Sequence, residues 1–219
     1  MSGYPRPGVS IDRAPRTARR EETRRHLLDA AAGLFAERGY HATSVPDIVR
    51  AAGVGHGTFY EYFGSRREIL LALTEHAASG MRRPRLHGGT VAERIRSEIA
   101  WFLADYVQHL QLSKVWHEAS TFDGELAAAG RAERARRVER VRRGIEAAGV
   151  RAGIDPDIAA AALTAMLEAF AYRWFVEGDG PGTSAADIVT ASETLASMWL
   201  ATLGPNASAQ PVRSLTPPR

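Results

Sequence analysis

The chain has 219 residues and no cysteine, which excludes disulfides, thiol catalysis and cysteine-ligated zinc together and fits a reducing compartment. A net charge of +3 is too small to require a polyanionic partner, and the length allows one or two compact units with a sizeable core. No apolar run approaches the ~20 residues that cross a bilayer, and the arginine-bearing start lacks the apolar stretch of a secretory signal. The expectation is therefore a cytoplasmic protein with no membrane partner.

Charge is unevenly placed. Residues 1–25 hold seven arginines, at 6, 13, 16, 19, 20, 24 and 25, against Asp12, Glu21 and Glu22. Pro5, Pro7, Gly8 and Pro15 argue against regular structure, so 1–18 reads as a disordered basic arm. Such an arm can reach phosphates or an A·T-rich minor groove, or simply solubilise the chain.

A first helix is expected from about Arg19 to Arg38, with Leu27, Ala31, Leu34 and Phe35 on one face and Gly39 as its stop. The stretch 44–63, SVPDIVRAAGVGHGTFYEYF, then spells two short helices across a tight turn. Ser44 and Asp47 have capping-box spacing, and Pro46 falls in the first turn, where a missing N–H costs nothing. Val45, Ile48, Val49 and Ala52 share one face. Gly53 can adopt the left-handed conformation that ends a helix, and Val54 fills the corner. The second short helix would carry His56, Thr58, Tyr60 and Tyr62 outside and Phe59 and Phe63 inside. Hydrogen-bonding and aromatic tips on such a helix suit insertion into a major groove. Ser65 caps a fourth helix that runs to about Met81, with Ile69, Leu70 and Leu73 inward. Pro84, Gly88 and Gly89 interrupt the pattern and mark a domain boundary.

Residues Thr43 to Leu70, TSVPDIVRAAGVGHGTFYEYFGSRREIL, resemble the N-terminal domain of TetR-family transcriptional regulators. That family's pattern is a helix ending in A-G-V, then G-T-[LF]-Y-x-[HY]-F, then S-[KR]-x-x-[IL]-[IL]. The match is dense over roughly residues 24–73; beyond them it rests on length and helix layout. The resemblance implies an all-α homodimer with a three-helix reading head, a linking helix and a C-terminal ligand-binding and dimerisation domain. Its implied partners are a double-stranded DNA operator and a small-molecule effector, with no cofactor.

The candidates for DNA contact are Thr43, Ser44, His56, Gly57, Thr58, Tyr60, Tyr62, Arg66 and Arg67. The hydroxyls of Thr58, Tyr60 and Tyr62 can donate to phosphates, which fix register but not sequence. His56 could reach a base edge or, with Gly57, a phosphate, and Arg66 or Arg67 could hold the flanking backbone. Two residues depart from the family pattern. Gly55 stands where serine is common, and Pro46 stands where some relatives have a guanine-reading arginine, so that contact is not carried over.

In the second half, Thr90 opens a long helix to about Leu110, with Ile95, Ile99, Phe102, Leu103 and Tyr106 apolar along it. A shorter helix at 112–120 is followed by Asp123–Gly124 as a turn, and another long helix ends near Gly149. Asp155 followed by Pro156 is a strong start signal for a helix to Glu177, closed by residues 178–182. The last helix spans about 184–203, and the tail from Gly204 reads as disordered. The count is nine helices in a four-plus-five arrangement, with domains at 19–83 and 90–203 and a tail at 204–219.

Aromatic residues concentrate in this half, and aromatic walls with a few polar groups are how small-molecule cavities are built. Trp101, Phe102, Tyr106, Trp116, Phe122, Met166, Phe170 and Trp174 are the ligand-binding candidates; each could equally be ordinary core. Few polar partners among them favours a lipophilic effector. The last two helices are apolar on more than one face, which demands burial on more than one side. Meeting their symmetry mates, they would form a dimer interface through Ile158, Ala165, Ala169, Leu195, Met198 and Trp199.

Other features have plainer readings. Glu168, inside an apolar run, needs a partner: Arg173 of a neighbouring chain, a ligand amine, or exposure at a helix edge. The run 131–144 carries seven arginines and two glutamates and reads as a solvated helix face rather than a second nucleic-acid site. Asp105 and His109, with His117 or Glu118, fall short of a coherent metal set. The Gly-rich 53–57 lacks the preceding strand and following Lys-Ser/Thr of a phosphate loop, so no enzyme is expected. The leading reading is a dimeric, ligand-responsive repressor; the alternative is a constitutive DNA-binding dimer without an effector.

Overall fold

The computed structural model describes residues 16–80, 90–149, 151–180 and 182–203. The expected arm at its residues 1–15, the break at 84–89 and the tail from 204 lie outside these. Among the described residues there are nine α-helices: α1 Arg16–Arg38, α2 Val45–Ala52, α3 His56–Tyr60, α4 Arg66–Gly80, α5 Val91–Gln108, α6 Leu110–Phe122, α7 Gly124–Ala148, α8 Pro156–Ala171 and α9 Ala185–Leu200. A π-helical turn, Tyr172–Glu177, continues α8.

Local chemistry explains most helix ends. The Ser44 capping box at α2 is formed in both directions, as is the Thr90 box with Glu93 at α5 and the Ser184 box with Asp187 at α9. Asp155 caps α8 by accepting from Asp157 N and Ile158 N, with Pro156 in the first turn. Gly53 ends α2 at φ 66°, inside the left-handed region that costs glycine nothing.

Three boundaries differ from the sequence expectation. Helix α1 starts at Arg16 rather than Arg19; the sequence after Pro15 contains nothing that opposes a helix. Asp123–Gly124 is not a turn: Asp123 is the N-cap of α7, accepting from Glu125 N at 3.0 Å and Leu126 N at 3.1 Å. One residue therefore joins α6 to α7. Burial works against ionisation of Asp123, yet those two N–H groups and Arg67 hold its carboxyl below the usual range. Finally, the α-helix expected to reach Glu177 widens after Ala171. There the bulky run Tyr172–Phe175 occupies a π turn, and the Trp174 indole donates to the Gly182 carbonyl at 2.9 Å. A side chain at Gly180 would place Cβ 2.0 Å from that indole, so glycine is required there.

Three apolar cores result. The first joins α1–α4 around Leu27, Phe35, Ile48, Phe59 and Ile69, and it also takes in Val115 and Ala119 of α6 and Leu126 of α7. The second packs α5 against α8, the π turn and α9 through Ile99, Leu103, Phe175 and Leu195. The third lies between α7 and α8 at Ile145, Ala160 and Leu163.

Phe59 is fully buried whereas Phe122 is 76% exposed. Truncating Phe59 to Ala is therefore expected to cost about 3–5 kcal/mol, and Phe122→Ala about 0.5 kcal/mol or less, both measured by urea denaturation. The Ser44 hydroxyl and backbone N–H hold the Asp47 carboxyl below its ordinary 3.8. Its contribution is complete above that value and lost as pH falls through the lowered one. Ser44→Ala should therefore lower the melting temperature at pH 7, with the gap between variant and parent narrowing as pH falls below about 4.

Candidate nucleic-acid interface and effector cavity

The helix pair α2–α3 is set by its caps and its buried face. Ile48 and Val49 of α2 and Phe59 of α3 go inward, and the Gly53 and Val54 N–H groups close the corner onto Arg50 O and Val49 O at 3.3 and 3.2 Å. Gly55 caps α3 without a side-chain hydrogen bond, the consequence of glycine at a position where a hydroxyl would serve. His56, Gly57 and Tyr60 are exposed. The Tyr60 ring, 53% exposed, meets the edge of His56 at 5.5 Å between centroids. Thr58 is half-buried, and Ser44 is exposed with its hydroxyl engaged in the capping box. Tyr62 packs half-buried against the head core with the Arg20 guanidinium 5.6 Å over its ring.

Three expected contact residues have other work. Thr43 is buried, and its hydroxyl donates to Gly39 O at 2.8 Å and Leu34 O at 3.3 Å. Arg66 donates through Nη1 to Thr43 O at 2.6 Å and His41 O at 3.2 Å, and its guanidinium lies 4.2 Å over the Tyr40 ring. Arg67 pairs with Glu125 at 2.8 Å and Asp123 at 3.5 Å. Which side of α4's first turn meets the α1–α2 turn and which meets α7 is a tertiary fact that spacing alone does not carry.

Sequence reasoning missed Glu118 as a structural anchor. Its carboxylate accepts the Tyr40 and His41 backbone N–H groups at 3.2 Å each, across 78 and 77 residues of chain. Nothing local to Glu118 signals this.

The cavity expected among the C-terminal aromatics lies where α4, α5, α6 and the π turn converge. It is a solvent-open cavity of about 270 Å³ and includes Tyr106 and Trp116 from the expected set. Thr74 and Ala77 of α4 form part of its wall, as do Asp105, Ser113, His117 and Tyr172. Burial pushes the Tyr106 hydroxyl up to about 12, so it stays a neutral dipole. The other candidates do not line this cavity. Phe102 belongs to the second core with the Arg137 guanidinium 5.2 Å over its ring; Phe170 packs on Trp174 at 4.5 Å; Met166 bridges two cores; Trp101 is half-buried along α5. Phe122 is a clear correction: it stands against His41 of the head at 5.0 Å, on the surface. A larger groove of about 430 Å³ runs along α7, but its Arg134 and Arg142 are held in ion pairs.

Those ion pairs resolve Glu168. It pairs within the chain with Arg134 at 2.7 Å and with Arg137. Arg136 pairs with Glu133 and Arg142 with Glu139 and Glu146, so much of the arginine run serves its own helix and α8. Asp105 Oδ1 and His109 Nδ1 are 3.2 Å apart, but Glu118 is committed to the head. Among the described residues no group of three His, Asp or Glu could hold a metal, and no helix is long and apolar enough to cross a membrane.

Of the expected interface residues, Ile158 is 71% and Met198 52% exposed, and Ala165 and Ala169 of α8 are exposed too. Leu195 is a correction. Leu195 is buried in its own protomer, and Trp199 is half-buried between the second and third cores. The face of α9 that carries both residues is taken up by α5 and α8, which leaves Met198 outward.

Against this geometry, comparisons with known proteins agree on one lineage. The model of the family described as "Bacterial regulatory proteins, tetR family" matches residues 27–73. The HTH-type transcriptional activator FasR of Mycolicibacterium smegmatis is 33% identical over 94 residues, 41% of this chain and 42% of that protein. The HTH-type transcriptional repressor KstR2 of Rhodococcus jostii is 46% identical over 64 residues, 29% of each chain. The chain thus spans under half the length of these relatives. A solved TetR-like transcriptional regulator from Rhodococcus sp. RHA1 extends the likeness to the whole fold, with a TM-score of 0.60 and 26% identity over 86% of this chain and 99% of that one. The helix-turn-helix at residues 27–73 is therefore that of the TetR family, and the helical architecture around it resembles that of a solved TetR-like regulator.

Proposed function

We propose that the protein is a dimeric transcriptional repressor, not an enzyme, that leaves its DNA operator when a small, lipophilic effector occupies the α4–α5–α6 cavity. The observation that carries DNA reading is the surface of α3. Phe59 of α3 and Phe63 just beyond it are buried while His56, Gly57 and Tyr60 are exposed together. His56 and Tyr60 are the residues we assign to base edges and phosphates, supported by Ser44, Thr58 and Tyr62 at the margins. The head is assigned to 19–83 and the effector and dimerisation domain to 90–203. The relatives named above include one activator and one repressor by name.

Effector sensing is supported by α4 contributing Thr74 and Ala77 to the cavity wall. A ligand there would touch the helix that carries the head, and effector and operator would then share one equilibrium with reciprocal coupling. Dimerisation is supported by the exposed apolar residues Ile158, Ala165 and Ala169 of α8 and Met198 of α9, the residue types of a subunit contact.

A gel shift with DNA flanking the protein's own gene should give a salt-sensitive complex. Tyr60→Ala should weaken it by roughly tenfold, the scale of losing one good contact, while its melting temperature stays near the parent's. A variant that binds like the parent would overturn the assignment of α3. Sedimentation should report a dimer for the parent and a folded monomer for the double variant Ile158→Arg, Met198→Arg; an unchanged dimer places the interface elsewhere.

A further inference from the structure

We propose that the effector cavity is built for an organic cation, a compact aromatic or alkyl body carrying an ammonium nitrogen. The inference rests on the effector reading above and specifies its chemistry. Asp105 lies on the wall. Its Oδ1 is shielded from solvent and receives no hydrogen bond. His109 Nδ1 lies 3.2 Å from that oxygen. That nitrogen is within ion-pair range but is directed at the Asp105 carbonyl oxygen, 3.1 Å away, so the carboxylate oxygen keeps an unmet demand for a donor. A buried acceptor without a donor is costly, and a charged one more so.

The rest of the wall matches the same ligand. Tyr106, Trp116, His117 and Tyr172 line it, and the His117 and Tyr172 rings meet at 4.3 Å between centroids, tilted by 36°. Ring faces attract a cation, most strongly where water is excluded. Among the described residues no lysine or arginine lines the cavity, and the arginines of α7 nearest Glu168 are spent on that carboxylate. The Tyr106 hydroxyl remains protonated well past neutrality, adding a dipole and not a second charge. A solvent-open cavity of about 270 Å³ falls just below the usual span of ligand sites, which favours a compact molecule. An anionic effector would meet Asp105 with nothing on the wall to offset it.

Isothermal titration of the full chain at pH 7 with 2-phenylethylamine, 2-phenylethanol and phenylacetate separates cation, neutral and anion on one body. The amine should bind at least about tenfold tighter than the alcohol, the factor one cation–π or carboxylate contact supplies, with phenylacetate weakest. Asp105→Asn should abolish the amine's advantage and leave the alcohol unchanged, and Tyr172→Leu should weaken the amine. Equal binding of amine and alcohol, a preference for phenylacetate, an Asp105→Asn variant that keeps the amine's advantage, or no binding by any of the three overturns the cation assignment. Adding the probes to the gel shift keeps the two readings apart. Alcohol that releases DNA as well as the amine leaves an effector-responsive regulator without cation selectivity. Asp105-dependent amine binding that leaves the DNA complex intact keeps the site and removes its regulatory role.

Discussion

The Glu118 carboxylate, accepting the backbone N–H groups of Tyr40 and His41, is the contact on which the arrangement of the two halves depends. It fastens the turn between α1 and α2 to α6. That turn begins at Gly39, at φ 81°, and a Cβ there would lie 2.8 Å from Glu118 Oε2, so the residue that can adopt the backbone angle is also the one that admits the carboxylate. Arg66 holds the same turn from another side through the carbonyls of His41 and Thr43. Arg67 then ties α4 to the start of α7. Backbone donors and acceptors of a turn, which otherwise go to water, are here taken by charged side chains, the stronger class of hydrogen bond.

The reading head is consequently not a free module. Its core is closed by Val115 and Ala119 of α6 and Leu126 of α7. Successive faces of α6 divide the labour: Val115 and Ala119 enter the head core, Glu118 grips the α1–α2 turn, and Leu112, Ser113, Trp116 and His117 line the cavity. A rigid helix that touches both places is the kind of element through which occupancy at one site can bias the other. The proposed coupling needs no longer path than the width of α6 and the wall formed by α4.

Charge in the second half is organised for the fold. Seven arginines in fourteen residues suggest a polyanion, but Arg134, Arg136, Arg137, Arg142 and Arg143 all have carboxylates within ion-pair distance. Several of those pairs are i,i+3 or i,i+4 partners on one helix, which stabilise modestly and keep the face soluble. Glu168 gains its two arginines from α7 and not from another molecule. That leaves Asp105 as the carboxylate by the cavity whose Oδ1 receives no hydrogen bond.

What could be read from the residues alone was whatever acts within a few positions. Capping boxes, prolines at first turns, glycines at helix ends and the 3.6-residue period all operate at that range, and so the helices, the α2–α3 pair and the inward Phe59 and Phe63 were legible. The π turn at Tyr172–Glu177 and the one-residue joint at Asp123 were not, because bulky neighbours and a cap competing with a turn can be resolved only against a packed surface. Only the tertiary structure decided that Thr43 is buried, that Arg66 and Arg67 hold helices together, that Phe122 is outward and Leu195 inward, and that Glu118 reaches back to Tyr40. Each depends on which helix faces are brought together across tens of residues, and periodicity identifies an apolar face without naming what covers it.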